Sequence, residues 1–231
     1  MAASLDFDGS NDYIDLGDLT ILDGTTEFTA MFHSNNNISS GGNQSILGRS
    51  SGGDNLGVLV RNTPQIFLSL NYDLGGTAYI KTSGLSSVDN NWYHYAWTWN
   101  SGISPQLLGG SNFYQNGLSV SLIDHQAGAF PFTNFQNTAG NFLFGKRAGN
   151  TDTWNGQIAY LRIYDRALSQ EEIQESIKNP EAIVNGLVGY WPLWTTAAKD
   201  LSGNGNDGTI VGTVTASDSG PPVYFPDLQT N

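Results

Sequence analysis

The residues that acid–base or metal chemistry would draw on are the three histidines, at 33, 94 and 125, and the glutamates 171, 172 and 175. None is spaced for that chemistry. The histidines are scattered, with no His-Glu-x-x-His pair and no serine or cysteine elbow beside them. Glu171, Glu172 and Glu175 fall within Ser169-Gln-Glu-Glu-Ile-Gln-Glu-Ser-Ile-Lys178. There Ser169 and Glu172 have capping-box spacing and Pro180 supplies the stop of a short surface helix, so these carboxylates serve capping and solvation. The acidic run Asp6-Phe-Asp-Gly-Ser-Asn-Asp12 is no EF-hand, because its twelfth loop position is Gly17 and its sixth is Asn11. Catalytic residues are therefore expected to be none. Aromatic rings are the remaining chemical resource, since their faces stack on the apolar faces of pyranose rings. Trp154 with Asn155, after the polar loop Ala148-Gly-Asn-Thr-Asp-Thr153, and Trp194, beside Pro192, are the loop-edge candidates for carbohydrate contact.

The elements that would position such residues read as strands. Short alternating runs between Gly, Asn, Asp and Ser recur along the chain, as in Gly57-Val-Leu-Val-Arg61, Gln65-Ile-Phe-Leu-Ser-Leu70 and Ala78-Tyr-Ile-Lys81. In Trp92-Tyr-His-Tyr-Ala-Trp-Thr-Trp99, period two places Tyr93, Tyr95, Trp97 and Trp99 on a core face and Trp92, His94, Ala96 and Thr98 on the other. Asn116-Gly117 between apolar strands predicts a type I′ hairpin, which needs positive φ at both central residues. Leu187-Val-Gly-Tyr-Trp-Pro-Leu193 reads as a further strand, Asp200-Leu-Ser-Gly-Asn-Gly-Asn-Asp-Gly208 as a tight loop, and Thr209-Ile-Val211 as another strand. Gly220-Pro-Pro-Val-Tyr-Phe-Pro-Asp-Leu-Gln-Thr-Asn231 cannot be helical and reads as an extended C-terminal arm, with Pro221, Pro222, Tyr224 and Phe225 as partner-binding residues.

Composition narrows the partners. The 231 residues hold 9 Lys plus Arg against 21 Asp plus Glu, a net charge of −12, which repels phosphate backbones and anionic lipid. No nucleic acid partner and no membrane insertion are expected, and no apolar run approaches the roughly 20 residues that span a bilayer. Met1-Ala-Ala-Ser-Leu-Asp6 lacks the basic and apolar regions of a signal peptide. With no cysteine, disulfides, thiolate metal sites and cysteine nucleophiles are removed together, and stability must come from packing. The sequons at Asn37 and Asn43 are read as incidental.

Several segments together resemble the laminin-G-like, concanavalin A-like lectin/glucanase superfamily: Leu5-Asp-Phe-Asp-Gly-Ser-Asn-Asp-Tyr-Ile14, Glu27-Phe-Thr29, the Trp92 strand, the Tyr114-Gln-Asn-Gly117 hairpin and Trp154-Asn-Gly-Gln-Ile-Ala-Tyr-Leu-Arg-Ile-Tyr-Asp-Arg-Ala-Leu-Ser-Gln-Glu-Glu-Ile173. The resemblance implies an all-β, two-sheet antiparallel jelly-roll sandwich with one short surface helix after the Arg-Ile-Tyr strand. Residues 187–193 and 200–208 resemble the opening of such modules yet close the chain, so the domain is expected over 1–219, with 185–215 completing the sandwich as a permuted first segment and 220–231 as the arm. Trp154 falls where the family usually has Phe. Relatives that are glucanases place paired carboxylates on one strand, and no Glu-x-Asp-x-x-Glu strand exists here. Such jelly rolls often hold one structural calcium, for which Asp200, Asn204, Asn206 and Asp207 are the oxygen donors. Against it, the Asp that the family has after Gly-x-Ile is Ala159 here, and Asx turns around the glycines are the competing reading.

The expected function is non-enzymatic recognition or attachment. The leading form is a structural component displayed on a virion, as capsid decoration or tail protein, with neighbouring protein subunits and host glycans as partners. A free-standing lectin or carbohydrate-binding module is the alternative, and a divergent glycosidase or lyase comes last.

Overall fold

The computed structural model describes residues 4–36, 44–50, 55–61, 65–72, 76–82, 90–103, 110–126, 140–146 and 152–222. The alternating runs form strands that pair in two antiparallel sheets. In chain order they are β1 (Ser4–Asp8), β2 (Tyr13–Asp15), β3 (Glu27–Asn36), β4 (Gln44–Ser50), β5 (Asn55–Arg61), β6 (Gln65–Tyr72), β7 (Gly76–Thr82), β8 (Trp92–Asn100), β9 (Ser111–Gln115), β10 (Leu118–Val120), β11 (Leu122–Gln126), β12 (Phe142–Phe144) and β13 (Asn155–Tyr164). The helix α1 (Gln170–Lys178) follows, then β14 (Leu187–Trp191), β15 (Thr209–Val211) and β16 (Thr215–Ser217). The first sheet has the order β10-β9-β8-β3-β13-β1-β16, with β14 also on β13, and the second is β11-β7-β6-β5-β4-β12-β2-β15. This is the expected two-sheet antiparallel jelly-roll sandwich.

Period two decides what lies between the sheets. Leu5 and Phe7 of β1, Phe28, Ala30 and Phe32 of β3, Tyr95, Trp97 and Trp99 of β8, and Ile158 of β13 meet Ile14, Ile46, Leu47, Phe142 and Phe144 of the second sheet in one core. Burying each large apolar side chain fully contributes about 1.5–3 kcal/mol. The predicted inward face of the Trp92 strand is thus the core face. Its other face is buried too: His94, Ala96 and Thr98 are each at most 2% exposed. The reason is α1, whose Ile173 joins Met31, Ala96, Tyr114, Tyr164 and Leu168 in a second cluster on the outer side of the first sheet. The helix is a cover for half of that sheet as well as a surface element.

Local signals in the sequence account for both the helix and the hairpin. The Ser169 Oγ accepts from the Glu172 N–H at 3.3 Å, and the Glu172 carboxylate accepts from the Ser169 N–H at 2.9 Å, which completes the capping box. Arg166 donates twice to the same carboxylate, at 2.7 and 2.9 Å, and this pairing holds the Glu172 carboxyl below its ordinary range. Asn116 and Gly117 have φ of 52° and 74°, and they join β9 to β10 in the predicted hairpin. The Gln174 side chain then donates to the Gly117 carbonyl, tying helix to turn.

The segment from 187 onward pairs into both sheets: β14 with β13, β15 with β2, and β16 with β1. Asp12, from the run that is not an EF-hand, is a brace inside this closure. Its carboxylate accepts from the Asp8 N–H at 3.0 Å and from the Thr213 N–H at 2.6 Å. Gly212, at φ 94°, is required there, since a Cβ would lie 2.2 Å from the Asp12 Oδ1. Beyond β16, the Ser4 hydroxyl donates to the Ser219 carbonyl at 2.6 Å, and Pro221 is buried. Of the four arm residues named from sequence, Pro221 and Pro222 are described, whereas Tyr224 and Phe225 lie outside the described residues. No helix among the described residues is long and apolar enough to cross a membrane.

Candidate functional site

The half of the first sheet's outer face not covered by α1 carries aligned rows of side chains. Register sets Asp6 of β1 opposite Gln157 of β13, Gln157 opposite Asn35 of β3, and Asn35 opposite Trp92 of β8. One step toward the helix lies the row Ala159, His33 and His94. A further step brings Arg162, Met31 and Ala96, beneath the helix. Residues directly opposite across antiparallel strands have Cβ atoms about 5 Å apart, so each row is a contiguous strip. The strips pass from polar, through histidine, to the covered row.

A bulge in β13 extends the surface sideways. The register shifts between Ala159 and Arg162, and Tyr160 adopts φ 55° while its N–H donates to the Pro192 carbonyl at 3.1 Å. Tyr160 meets the Trp194 ring edge-on at 6.1 Å and the His33 ring at 5.5 Å, and His33 meets His94 at 4.8 Å. Trp92 packs against the small cluster of Ala159, Tyr160 and Tyr190. The result is an aromatic band from Trp194 to Trp92 across the open half of the sheet.

Recesses flank the band. A polar one of about 300 Å³ is lined by Asp6, Asn35, Asn90, Asn155, Gly156 and Gln157. A more apolar one of about 320 Å³ is lined by His33, Trp92, His94, Asn116, Ile177 and Pro222. A third, of about 150 Å³, lies against Trp194, with Leu193, Thr195, Lys199 and Leu201. Burial pushes the His33 imidazole down to about 3, assisted by the nearby Arg162 charge. Burial likewise pushes His94 well below its ordinary value, with His33 and Arg162 adding to the effect. Both rings are neutral at neutral pH. Burial raises the Asp6 carboxyl, and the Asp12 charge adds to the rise. The surface offers rings to stack on and amides to hydrogen-bond with.

The sequence-derived candidates divide. Trp194 is 44% exposed, and Asn155 lines the polar recess. Trp154 does not reach a loop edge with its ring: it is 1% exposed and sits in the core between the sheets, while its backbone N–H donates to the Gly145 carbonyl at 2.8 Å. The physical reason is parity, since Trp154 shares the inward phase of Gly156 and Ile158 at the start of β13. No spacing in the sequence points to Asn35, Gln157 or Asp6 as site residues, whereas the outward phase of Trp92 is legible in its strand.

The Asp200 loop is knitted by hydrogen bonds to itself and to β14. Asp200 accepts from the N–H groups of Tyr190, Ser202 and Asn206 and from the Ser202 hydroxyl. The Asn204 and Asn206 amide nitrogens donate to the carbonyls of Leu187 and Val188. Asp207 accepts from the Asp200 N–H and pairs with Lys199. With the Asp200 and Asp207 carboxylates accepting from loop N–H groups and both asparagine amides donating to β14, the hydrogen bonds favour the Asx-turn reading of this loop over the calcium one.

Among curated protein sequences none matches the chain. Among solved structures, a putative carbohydrate binding protein from Bacteroides ovatus is similar, with a TM-score of 0.67 and 18% identity over 96% of this chain and 62% of that one. The chain therefore spans less than two thirds of that protein's length. A heptameric SAP-like pentraxin from Limulus polyphemus gives 0.59 and 14% identity, over 93% and 94% of the two chains. The CBM40 of the Ruminococcus gnavus IT-sialidase, bound to α2,3 sialyllactose, gives 0.57 and 15%, over 74% and 95%. These likenesses are of fold. The family model of the concanavalin A-like lectin/glucanases superfamily matches residues 8–174, so the chain belongs to that superfamily.

Proposed function

We propose that the protein is a non-enzymatic glycan-binding module and that the open half of the first sheet's outer face is its binding surface. The observation that carries this reading is the aromatic band, with Trp194 exposed and stacked edge-on to Tyr160, next to a recess lined by Asp6, Asn35, Asn155 and Gln157. An exposed ring beside convergent amides suits the two faces of a sugar, one apolar and one hydroxylated. The fold supports the reading, since the R. gnavus module with this fold binds sialyllactose. A glycan array followed by calorimetry tests it. Saturable binding is expected, with Trp194→Ala weakening it tenfold or more while the unfolding free energy stays within about 0.5 kcal/mol of the parent. Undiminished affinity in that variant removes Trp194 from the surface, and no binding to any glycan removes the function.

A second, finer reading is attachment to neighbouring protein subunits, with display on a virion as its leading form. The start of the arm favours it, because the Ser219 carbonyl accepts from the Ser4 hydroxyl and Pro221 is buried, which ties the chain to the sandwich there. Deleting 223–231 is then expected to abolish co-sedimentation with the particle and to leave the monomer's unfolding transition in place. Normal incorporation of the truncated chain overturns this reading.

A further inference from the structure

The recess between Trp92, His94 and Asn116 is built from groups that lack acceptors. The His94 ring is 2% exposed, and neither of its nitrogens has a hydrogen-bond partner. The same holds for the Nδ1 of His33 and the indole nitrogen of Trp92, both of which line the recess. Behind them Arg162, fully buried, donates through Nη1 to the Ser176 and Pro180 carbonyls at 2.9 and 3.2 Å, while its Nε and Nη2 have no partner. The Tyr190 ring lies 5.8 Å from the guanidinium carbon, and the Tyr164 hydroxyl and Tyr160 are its other neighbours, all of them neutral groups.

Among the described residues, the buried Arg49 is treated differently. Arg49 pairs with Asp18 at 3.3 Å and Asp23 at 3.0 Å. A buried guanidinium without a carboxylate is costly, and in a chain of net charge −12 acidic residues are plentiful. None of them lines this recess among the described residues. Asp6, in the neighbouring row, stands three strand spacings from Trp92, about 14 Å.

The unpartnered set is rich in donors. An indole and a guanidinium offer N–H only, and each neutral imidazole offers one N–H. A group that completes them must supply acceptor oxygens, and beside an uncompensated guanidinium a charged acceptor is favoured over a hydroxyl. Resting on the glycan-binding reading, the geometry points to this recess as the subsite for a carboxylate-bearing sugar, its carboxylate facing His94, His33 and the Trp92 indole nitrogen with Arg162 supplying the field. The volume of about 320 Å³ admits one sugar ring, and the Ile177 and Pro222 walls suit its apolar face.

The test uses the full chain with histidine rings isotopically labelled, titrated at pH 7.5 with methyl β-glucuronide and with methyl β-glucoside, which differ only in the C6 carboxylate. The glucuronide is expected to move the His94 and His33 ring resonances and to bind at least tenfold more tightly than the glucoside. His94→Phe and, independently, Arg162→Met are each expected to cut that preference to less than threefold; the second variant serves if the first does not fold. Equal affinity for the two sugars overturns the carboxylate assignment while leaving glycan binding intact. A tenfold preference that survives in both variants overturns it as well, by placing the carboxylate elsewhere. Histidine resonances unmoved by the glucuronide, in a protein that binds glycans on an array through Trp194, overturn this subsite alone.

Discussion

Unfolding free energy is expected to fall by about 1.5 kcal/mol between pH 6.5 and pH 5 on account of His33, whose imidazole stays neutral in the fold while it ionises in the unfolded chain, and His94, lowered in the same direction, adds to the fall. His33 is held down to about 3 and His94 well below its ordinary value, in each case chiefly by burial. The sign follows from proton counting. Below the ordinary histidine value of 6.5 the unfolded chain takes up a proton at each ring and the folded one does not, so acid favours unfolding. Stability is therefore fully present above pH 6.5 and is lost as pH falls toward 3. The groups facing the pair deepen the effect, since Arg162 disfavours a second positive charge on either ring. Among the shifted carboxyls, Glu172 is held below its ordinary value and stays ionised across this window, while Asp6, raised by burial, opposes the loss by taking up its proton more readily in the fold. Urea denaturation at pH 7.5, 6.5, 5.5 and 5.0 measures the loss, and His33→Phe is expected to make the slope clearly shallower. A flat profile in the parent would mean that the rings ionise within the fold, and it would remove the basis for treating them as neutral.

How much of this was legible in the sequence depends on whether the signal is local. The capping box at Ser169 and Glu172 and the Asn116-Gly117 turn are encoded within four residues, and both stand where they were read. The strands at 57–61, 65–70 and 78–81 are β5, β6 and β7, because alternation is a local property as well. Together with the family resemblance these give the sandwich. The rows of the binding surface are a different kind of fact. His33 and His94 face each other through the pairing of β3 with β8, across 61 residues of chain, and no spacing in the sequence specifies that register. The burial of the Thr98 and Ala96 side likewise follows from where α1 docks, which capping residues do not state. Tyr160 and Trp194 are brought together by a bulge, whose change of phase is invisible to a period-two reading.

Tryptophan shows the same division between phase and contact, and it separates fold from binding by experiment. Trp154→Ala is expected to cost about 3–5 kcal/mol, because an indole packed between two sheets leaves a void that strand backbones on both sides prevent from closing. For a chain of this length each kcal/mol lowers the melting temperature by roughly 2–4 °C, so a fall on the order of 10 °C is expected in calorimetry. The indole nitrogen of Trp154 has no hydrogen-bond partner, so the residue acts through volume and apolar area. Trp154→Phe, which removes fewer atoms and leaves a smaller void, is then expected to cost clearly less than the alanine. Trp194→Ala deletes the same atoms at a 44% exposed site and is expected to leave the transition nearly unchanged. Loss of glycan binding in the Trp154 variant would accordingly report an unfolded sandwich, and the same loss in the Trp194 variant a missing contact. Equal destabilisation by the two alanines would contradict the burial difference, and with it the placement of the binding surface on the Trp194 side.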